Sequence, residues 1–191
     1  MTKNQNGHKI VKDYSKVDEY VTKQRQDKKK IVLTQGSFDM LHIGHARYCK
    51  EAKTYGDILI VGIDSDTKIK KRKGNDRPIV PEEERLEMLI YLSSVDLVVL
   101  KKLAAPKWEL IKIIRPDVLI ATKETYSPEQ LEDLKEFCGK IIVLEPMATT
   151  STSAKIRLLQ LGAAQKIESV LTNKLIKTIE EVLSELRGET K

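Results

Sequence analysis

Residues 36–45 read Gly-Ser-Phe-Asp-Met-Leu-His-Ile-Gly-His, and they lie between an apolar run and a helical pattern. The run at residues 31–34 predicts a buried parallel strand, and residues 46–53 predict a helix. A glycine turn and two histidines therefore stand where a strand ends and a helix begins. Backbone N–H groups are available at such a junction, and the helix N-terminus carries a positive partial charge. This stretch predicts an open α/β sheet with a phosphate site at its carboxyl edge.

The chain beyond this stretch alternates between short apolar runs and helical patterns. Further strands are predicted at residues 58–63, 97–100, 118–121 and 141–144. Helices are predicted between them at residues 81–93, 107–114 and 129–137. This alternation favours the α/β class, with a Rossmann-like, doubly wound parallel sheet of about five strands.

The two ends of the chain differ from this central part. Residues 1–28 are predicted to be a polar N-terminal extension, disordered up to residue 12 and then helical. Residues 29–162 form the predicted main domain, and residues 163–191 a C-terminal amphipathic helix. Apolar residues recur in that helix every three to four positions: Ile167, Leu171, Leu175, Ile179, Val182 and Leu186. The stripe either packs on its own domain or forms a homodimer contact, and the pattern leaves both open.

Composition narrows the class of protein. The chain has 191 residues, of which 40% are hydrophobic and 32% charged, as in ordinary globular domains. No apolar run approaches the roughly 20 residues that span a bilayer, and the lysine-rich first 30 residues contain no secretory signal. The two cysteines are too few for a disulfide framework. We therefore expect a cytoplasmic protein without a membrane partner.

The positive charge is concentrated in two short segments. Although the net charge is +6, basic residues cluster at 28–30 and 68–73, and aromatic residues make up only 5% of the chain. Few aromatic side chains are available to stack on bases, so we expect no nucleic-acid partner. The second cluster follows a predicted strand end, on the side of the histidines. We expect it to form a glycine-containing loop whose lysines close over a triphosphate.

The turn at residues 36–45 resembles the H-x-G-H signature of the nucleotidyltransferase superfamily, in the form used by its cytidylyltransferase-like branch. The resemblance implies that His42 and His45 donate hydrogen bonds to the α- or β-phosphate of a nucleotide. It also implies that the turn residues contact the nucleotide, namely Gly36, Ser37, Phe38, Asp39 and Gly44. Asp39 could alternatively support a metal or orient a histidine.

Two later segments extend the resemblance. Residues 73–96, with Lys73-Gly74 and Arg77-Pro78, are similar to the heptose-1-phosphate adenylyltransferase domain. This similarity implies that Arg85 and a lysine of the mobile loop, Lys70 or Lys73, also contact phosphate. The hydroxyl-rich residues 149–157 are similar to the family's second phosphate-binding junction. That similarity implies nucleotide contacts from three residues: Thr152, Ser153 and Lys155. One segment departs from the family, because residues 122–126 keep only Tyr126 where related enzymes have a Gly-Asp turn.

The resemblance implies transfer of a nucleoside monophosphate from a nucleoside triphosphate to a phosphorylated small molecule, with release of pyrophosphate. AMP and a sugar phosphate are the favoured pair. Glycerol-3-phosphate-type cytidylyl transfer and FMN adenylyl transfer are the alternatives, and a non-catalytic nucleotide-binding regulatory protein is the alternative of another class. Mg²⁺ is implied by this chemistry, and it would be held mainly by the nucleotide.

Overall fold

Seven strands form one sheet in the computed structural model, which describes residues 2–3, 9–123, 125–145, 147 and 152–187. The strands are β1 (Thr2–Lys3), β2 (Lys9–Val11), β3 (Ile31–Gly36), β4 (Ile58–Asp64), β5 (Leu97–Lys101), β6 (Val118–Ala121) and β7 (Lys140–Val143). The helices are α1 (Tyr14–Gln26), α2 (Ile43–Lys53), α3 (Asp66–Lys73), α4 (Glu82–Ile90), α5 (Glu109–Ile114), α6 (Pro128–Leu134) and α7 (Thr152–Leu186).

The strand order is β1-β2-β5-β4-β3-β6-β7, and β2 to β7 run parallel. This confirms the doubly wound parallel sheet, because from β3 in the middle the chain adds β4 and β5 on one side and then β6 and β7 on the other. The five predicted strands are β3 to β7. The strand order reverses between β3 and β6, which creates a crevice at the carboxyl ends of these strands. The H-x-G-H turn follows β3 and therefore lies at this crevice, where such sheets bind ligands.

The N-terminus contributes to the sheet. Residues 9–11 pair in parallel with residues 97–99 of β5, and Val11 is buried. The expectation of disorder up to residue 12 is therefore wrong for residues 9–11. Three residues, of which two are apolar, are too short a run for a periodic signal. The helix expected over residues 13–28 is present as α1, and its Val17 and Val21 belong to the core.

Helices cover both faces of the sheet. On one face α1, α5 and α6 pack over β-strand side chains that include Ile31, Leu33 and Ile60. On the other face α2 and α4 pack over the alternate positions, among them Val32, Leu59 and Val61. Alternation of side chains along each strand assigns neighbouring residues to opposite faces. As a result, residue 35 at the end of β3 faces α1, α5 and α6, whereas the turn after it leads into α2 on the other side.

The basic segment after β4 is helical, which corrects the expectation of a loop carrying Lys70 and Lys73. In α3 the Ser65 hydroxyl caps the N-terminus by accepting from the Lys68 N–H at 3.3 Å, and Ile69 is buried. Four basic residues occupy the last turn, where cations interact favourably with the helix dipole. Gly74, with a φ of 94°, ends the helix. One apolar residue in eight was too weak a signal to predict it.

The chain divides into two compact units, residues 1–149 and 150–191. The second unit contains α7, a continuous helix of 35 residues, so the predicted boundary between residues 162 and 163 falls inside a helix. Within the described ranges, no helix combines the length and the apolar character needed to cross a bilayer. The homodimer contact of this helix stays a prediction.

Candidate active site

The two histidines of the H-x-G-H turn hold each other in place. His42 caps α2, and its Nδ1 accepts from the Gly44 N–H at 3.1 Å. His45 Nδ1 accepts in return from the His42 N–H at 3.3 Å, and the ring centroids lie 4.2 Å apart. Because Nδ1 is the acceptor in both neutral rings, the ring proton of each lies on Nε2. The turn therefore presents two N–H donors beside a helix N-terminus, which is an arrangement suited to phosphate oxygens.

The backbone of the turn is strained. Phe38 and Met40 have φ values of 48° and 49°, in the left-handed region that side chains disfavour. Such residues cost on the order of 1–3 kcal/mol each and persist only where their surroundings hold them. The Phe38 ring is buried, and its centroid lies 5.4 Å from that of His45. A Cβ on Gly36 would come within 3.2 Å of the Phe38 ring, so glycine keeps this space open.

Hydrogen bonds to Asp39 connect the segment of residues 77–80 to the turn. The Asp39 carboxylate accepts from Arg77 Nε at 2.7 Å and from the N–H groups of Ile79 and Val80 at 3.1 and 2.9 Å. Burial alone would raise the pKa of Asp39, but the two N–H donors and the guanidinium outweigh it and lower the pKa below its ordinary value. Asp39 thus positions the turn, and its contact with a nucleotide stays a prediction.

Arg85 lies in the interior with only 1% of its surface exposed. Its guanidinium donates to the Val80 carbonyl at 2.9 Å, the Asp64 carbonyl at 3.0 Å, the Asp66 carboxylate at 2.7 Å and the Ser37 carbonyl. These bonds join the ends of β3 and β4 to the start of α3. In this structure Arg85 is therefore a positioning residue, and the phosphate contact that the resemblance implies remains a prediction.

Of the two α3 lysines predicted to contact phosphate, Lys73 is the one that interacts electrostatically with residues at the turn. Desolvation, followed by the guanidinium groups of Arg72 and Arg77, lowers the pKa of Lys73, while Asp39 counteracts the shift. Lys70 is exposed, and its phosphate contact also remains a prediction. Arg72 is a residue that sequence reasoning missed. Its Nη2 donates to the Ser37 hydroxyl at 2.9 Å, so it reaches the turn directly.

A cluster of basic side chains around the buried Asp64 carboxylate adjoins the turn and was also missed. The Asp64 carboxylate lies 2.9 Å from Arg72 Nη2, 3.1 Å from Lys101 Nζ and 3.8 Å from Lys68 Nζ. Burial would raise the pKa of Asp64, but Lys101 and Arg72 outweigh it and lower that pKa. Asp64 and Lys101 are register partners at the ends of neighbouring strands. The sequence did contain a signal for this cluster, since an acidic residue and a basic residue, Asp64 and Lys101, stand at the ends of two predicted strands.

The residues of the second predicted phosphate junction lie in the other unit. Thr152, Ser153 and Lys155 belong to the first turn of α7, and their side chains fall outside what the structure describes, as do residues 148–151. Gly44 is buried in α2. The contacts of these four residues with a nucleotide remain predictions.

The carboxylates around the turn are already engaged by cations. Asp39 binds Arg77, and Asp64 binds three basic side chains. In the part of the chain that the structure describes, no three or more His, Cys, Asp or Glu side chains group as metal ligands would. The side chains near the turn that could contact a ligand are cationic. They suit phosphate oxygens, and those oxygens would in turn carry a magnesium ion.

Comparison with known proteins agrees with this geometry. A family model described as cytidylyltransferase-like matches residues 33–173. The bifunctional protein HldE of Aliarcobacter butzleri is 36% identical over 155 residues, covering 81% of this chain and 32% of its own length. That of Helicobacter pylori strain HPAG1 is 45% identical over 127 residues, covering 66% and 27%. The matched region thus covers only about a third of the length of these curated relatives.

Solved structures share the fold. A lipopolysaccharide core biosynthesis protein from Thermoplasma volcanium has a TM-score of 0.55 and 26% identity, over 63% of this chain and 99% of its own. A pantoate-beta-alanine ligase from Francisella tularensis has a TM-score of 0.52 at 19% identity, over 72% and 66%, which supports the fold alone. The family match includes the turn, the ion cluster and the first part of α7. The chain therefore belongs to the cytidylyltransferase-like family.

Proposed function

We propose that this chain transfers a nucleoside monophosphate from a nucleoside triphosphate to a phosphorylated small molecule and releases pyrophosphate. The observation that carries the proposal is the reciprocal capping of His42 and His45, which leaves the ring N–H of each on Nε2. Donors held in this way need no reorganisation when charge develops on the phosphate oxygens. Family membership and the α2 N-terminus beside the histidines support the same chemistry.

The reaction requires little acid–base chemistry. An acceptor phosphate oxygen, already anionic at neutral pH, forms a bond to the α-phosphorus, and the bond between that phosphorus and the β-phosphate oxygen breaks. Pyrophosphate leaves with the electron pair, so no proton must move. The chain's task is alignment and stabilisation of negative charge. His42 and His45 would donate to the α- or β-phosphate, and Lys73 and Arg72 would supply positive charge beside the turn.

Mg²⁺ bound through the triphosphate would neutralise part of the phosphate charge. Asp39 and Asp64, the carboxylates beside the turn, are held by arginine and lysine side chains, so the nucleotide itself would supply the oxygens for the metal. The chain would hold the metal only indirectly, through its contacts with the phosphates.

ATP as the donor and a sugar phosphate as the acceptor are the pair we favour. The resemblance of residues 73–96 to heptose-1-phosphate adenylyltransferases supports this pair. Similarity to the Thermoplasma volcanium lipopolysaccharide core biosynthesis protein supports a carbohydrate acceptor as well. Cytidylyl transfer to glycerol 3-phosphate is the second candidate, and membership of the cytidylyltransferase-like family supports it. It ranks below adenylyl transfer because residues 145–148 lack the arginine that glycerol-3-phosphate cytidylyltransferases tend to carry there.

The deciding experiment measures pyrophosphate release with Mg²⁺ and either ATP or CTP. Each nucleotide is paired with heptose 1-phosphate, glycerol 3-phosphate, phosphocholine, phosphoethanolamine or FMN. Release that requires one nucleotide and one acceptor, and that disappears in His42→Asn, supports the proposal and identifies both substrates. Tight nucleotide binding by calorimetry without release from any pair contradicts it and favours a non-catalytic, nucleotide-binding regulatory protein.

A further inference from the structure

Helix α7 carries most of the large apolar side chains that the described part of the chain leaves exposed. Of eighteen such side chains, twelve belong to this helix: Leu158, Leu159, Leu161, Ile167, Val170, Leu171, Leu175, Ile176, Ile179, Val182, Leu183 and Leu186. Within the compact unit of residues 150–191, α7 is the only helix or strand among the described residues, so no other described element of that unit covers them. Because monomeric proteins rarely expose a contiguous apolar patch larger than a few hundred Å², this surface indicates a binding partner.

Nine positions of α7 form one regular seam along the helix. Their spacing is four, four, three, four, four, three, four and four: Ile156, Gln160, Ala164, Ile167, Leu171, Leu175, Thr178, Val182 and Leu186. Seven of the nine residues are apolar. A repeat of this kind averages about 3.7 residues per turn, which is close to the period of the α-helix itself, so the seam stays on one face. Helices with such a repeat pair along their length with only a gentle right-handed supercoil, and the seam therefore fits another helix.

The seam has the same spacing in both chain directions. Leu171 is its central position, and each position on one side has a counterpart at the same distance on the other side. An antiparallel second copy centred on Leu171 would therefore place seam against seam over residues 156–186. Leu171 would face Leu171 of the second copy, and Ile167 would face its Leu175. A contact across a two-fold axis requires a surface that is complementary to itself, and this seam meets that requirement.

Charged residues next to the seam follow the same symmetry with opposite signs. Arg157 and Glu185 lie fourteen residues on either side of the centre, and Glu168 and Lys174 lie three residues on either side. In an antiparallel pair each of these residues is level with an opposite charge of the second copy, which gives four opposite-charge pairs. In a parallel pair each of them would be level with its own like charge. Because like charges side by side are unfavourable, the charges select the antiparallel orientation.

The ends of α7 also carry charges that its own dipole disfavours. The first turn contains no acidic residue and the last turn no basic residue, whereas Glu180, Glu181 and Glu185 stand near the C-terminus of the helix. Negative charge is favourable near a helix N-terminus and unfavourable near a C-terminus. In an antiparallel pair these glutamates would lie beside the positive N-terminal part of the second helix, which compensates for that cost.

We propose that two copies of this chain associate through α7 as an antiparallel pair, seam against seam, with Leu171 on the two-fold axis. A membrane surface suits α7 less well, because membrane-surface helices are rich in Lys and Arg on their polar face, whereas α7 has five basic and four acidic residues. Residues 174–186 lie beyond the family match, so the interface belongs to this chain rather than to the family as a whole. The overlap begins at Ile156, and the first four residues of α7 lie outside it.

Sedimentation equilibrium of the full chain tests the association. The wild type should have twice the chain mass of 21.8 kDa, and Leu171→Glu should have the single mass, because two carboxylates would meet at the axis without a cation. Ile176→Glu is the matched control, since it places the same charge at an exposed apolar position of the same helix, away from the seam, and it should remain dimeric. A monomeric wild type, with or without binding to vesicles of anionic lipid, or equal masses for the two variants would overturn the proposal.

Exchange of two charges tests the orientation. Lys174→Glu and Glu168→Lys should each raise the dissociation constant of the dimer by at least about threefold, because two attractive pairs become repulsive, and the double variant should restore it. Lys and Glu have similar helix propensities, so the helix itself should be little affected. The differences should largely disappear in about 1 M NaCl, where such charges are screened. In a parallel pair each single substitution would leave like charge beside like charge, so unchanged dissociation constants would overturn the antiparallel assignment.

Discussion

Arg77 holds one carboxylate oxygen of Asp39 with two nitrogens, Nε and Nη2, each at a distance of 2.7 Å. The carboxylate is 1% exposed and the arginine side chain 12%, so the pair is almost fully removed from water. The two residues are 38 positions apart, and their bond connects the H-x-G-H turn to the segment between α3 and α4. The strained backbone on either side of Asp39 is thereby held from outside the turn.

Loss of this pair should destabilise the protein and disable the turn. Arg77→Ala leaves a buried carboxylate without its cation, which typically costs about 3–5 kcal/mol of unfolding free energy. Urea denaturation of the variant and the wild type measures the difference. Lys50→Ala, at an exposed site on α2, serves as the control and should leave the unfolding free energy within about 0.5 kcal/mol. A destabilisation of Arg77→Ala no larger than that would contradict a pair that holds the turn.

The two roles of His42, helix capping and donation from Nε2, can be separated by substitution. His42→Asn keeps a side chain that can accept from the Gly44 N–H, so stability should change little, whereas His42→Ala should lose about 1 kcal/mol. Both variants lack the Nε2 donor, and turnover should fall by about two orders of magnitude or more. The check is a thermal melt together with the pyrophosphate assay. Near wild-type turnover in His42→Asn would remove His42 from the mechanism.

For His45 we expect a similar loss. His45→Ala removes the acceptor for the His42 N–H and the second Nε2 donor, so turnover should fall by about two orders of magnitude with a stability loss of roughly 1 kcal/mol. Circular dichroism establishes that the variant is folded before single-turnover rates are compared. Wild-type rates in a folded His45→Ala would contradict the assignment.

Acid should destabilise the fold through Asp39 and Asp64. The pKa of each is lower in the folded protein than its ordinary value of 3.8. Their contribution to stability is therefore present above about pH 4 and is lost as the pH falls through the lower folded-state pKa values. Unfolding free energies measured by urea from pH 7 to pH 2 should decrease mainly below pH 4. Asp39→Asn should decrease less steeply there, and an unchanged slope would show that Asp39 is not one of the responsible groups.

The cysteines should be inert in the native state. Burial raises the pKa of Cys49 to about 12 and that of Cys138 to about 11. At pH 8 no more than about one thiol in a thousand would be the reactive thiolate. An aromatic disulfide reagent should therefore label neither residue within minutes in buffer and both residues in urea. Rapid labelling of the native protein by two equivalents would contradict the burial of Cys49.

Much of the fold followed from local patterns. The five predicted strands, β3 to β7, contain continuous apolar runs, and α4, α5 and α6 were predicted to within a few residues because apolar periodicity and N-terminal signals agreed. Strand β2 and helix α3 escaped prediction because each contains too few apolar residues to produce a period. β2 forms because it pairs with the edge of β5. α3 forms because the Ser65 side chain caps its N-terminus and Ile69 is buried in the core.

The sequence by itself determined the α/β class, the position of the H-x-G-H turn and the family to which the chain belongs. These depend on neighbouring residues, whose order along the chain already contains the strand, the turn and the helix cap. Only the tertiary structure decided that Arg85 lies buried among carbonyl groups and that Asp64 gathers three cations. Burial and ion pairing depend on which distant strand ends meet, and chain order alone does not specify that meeting.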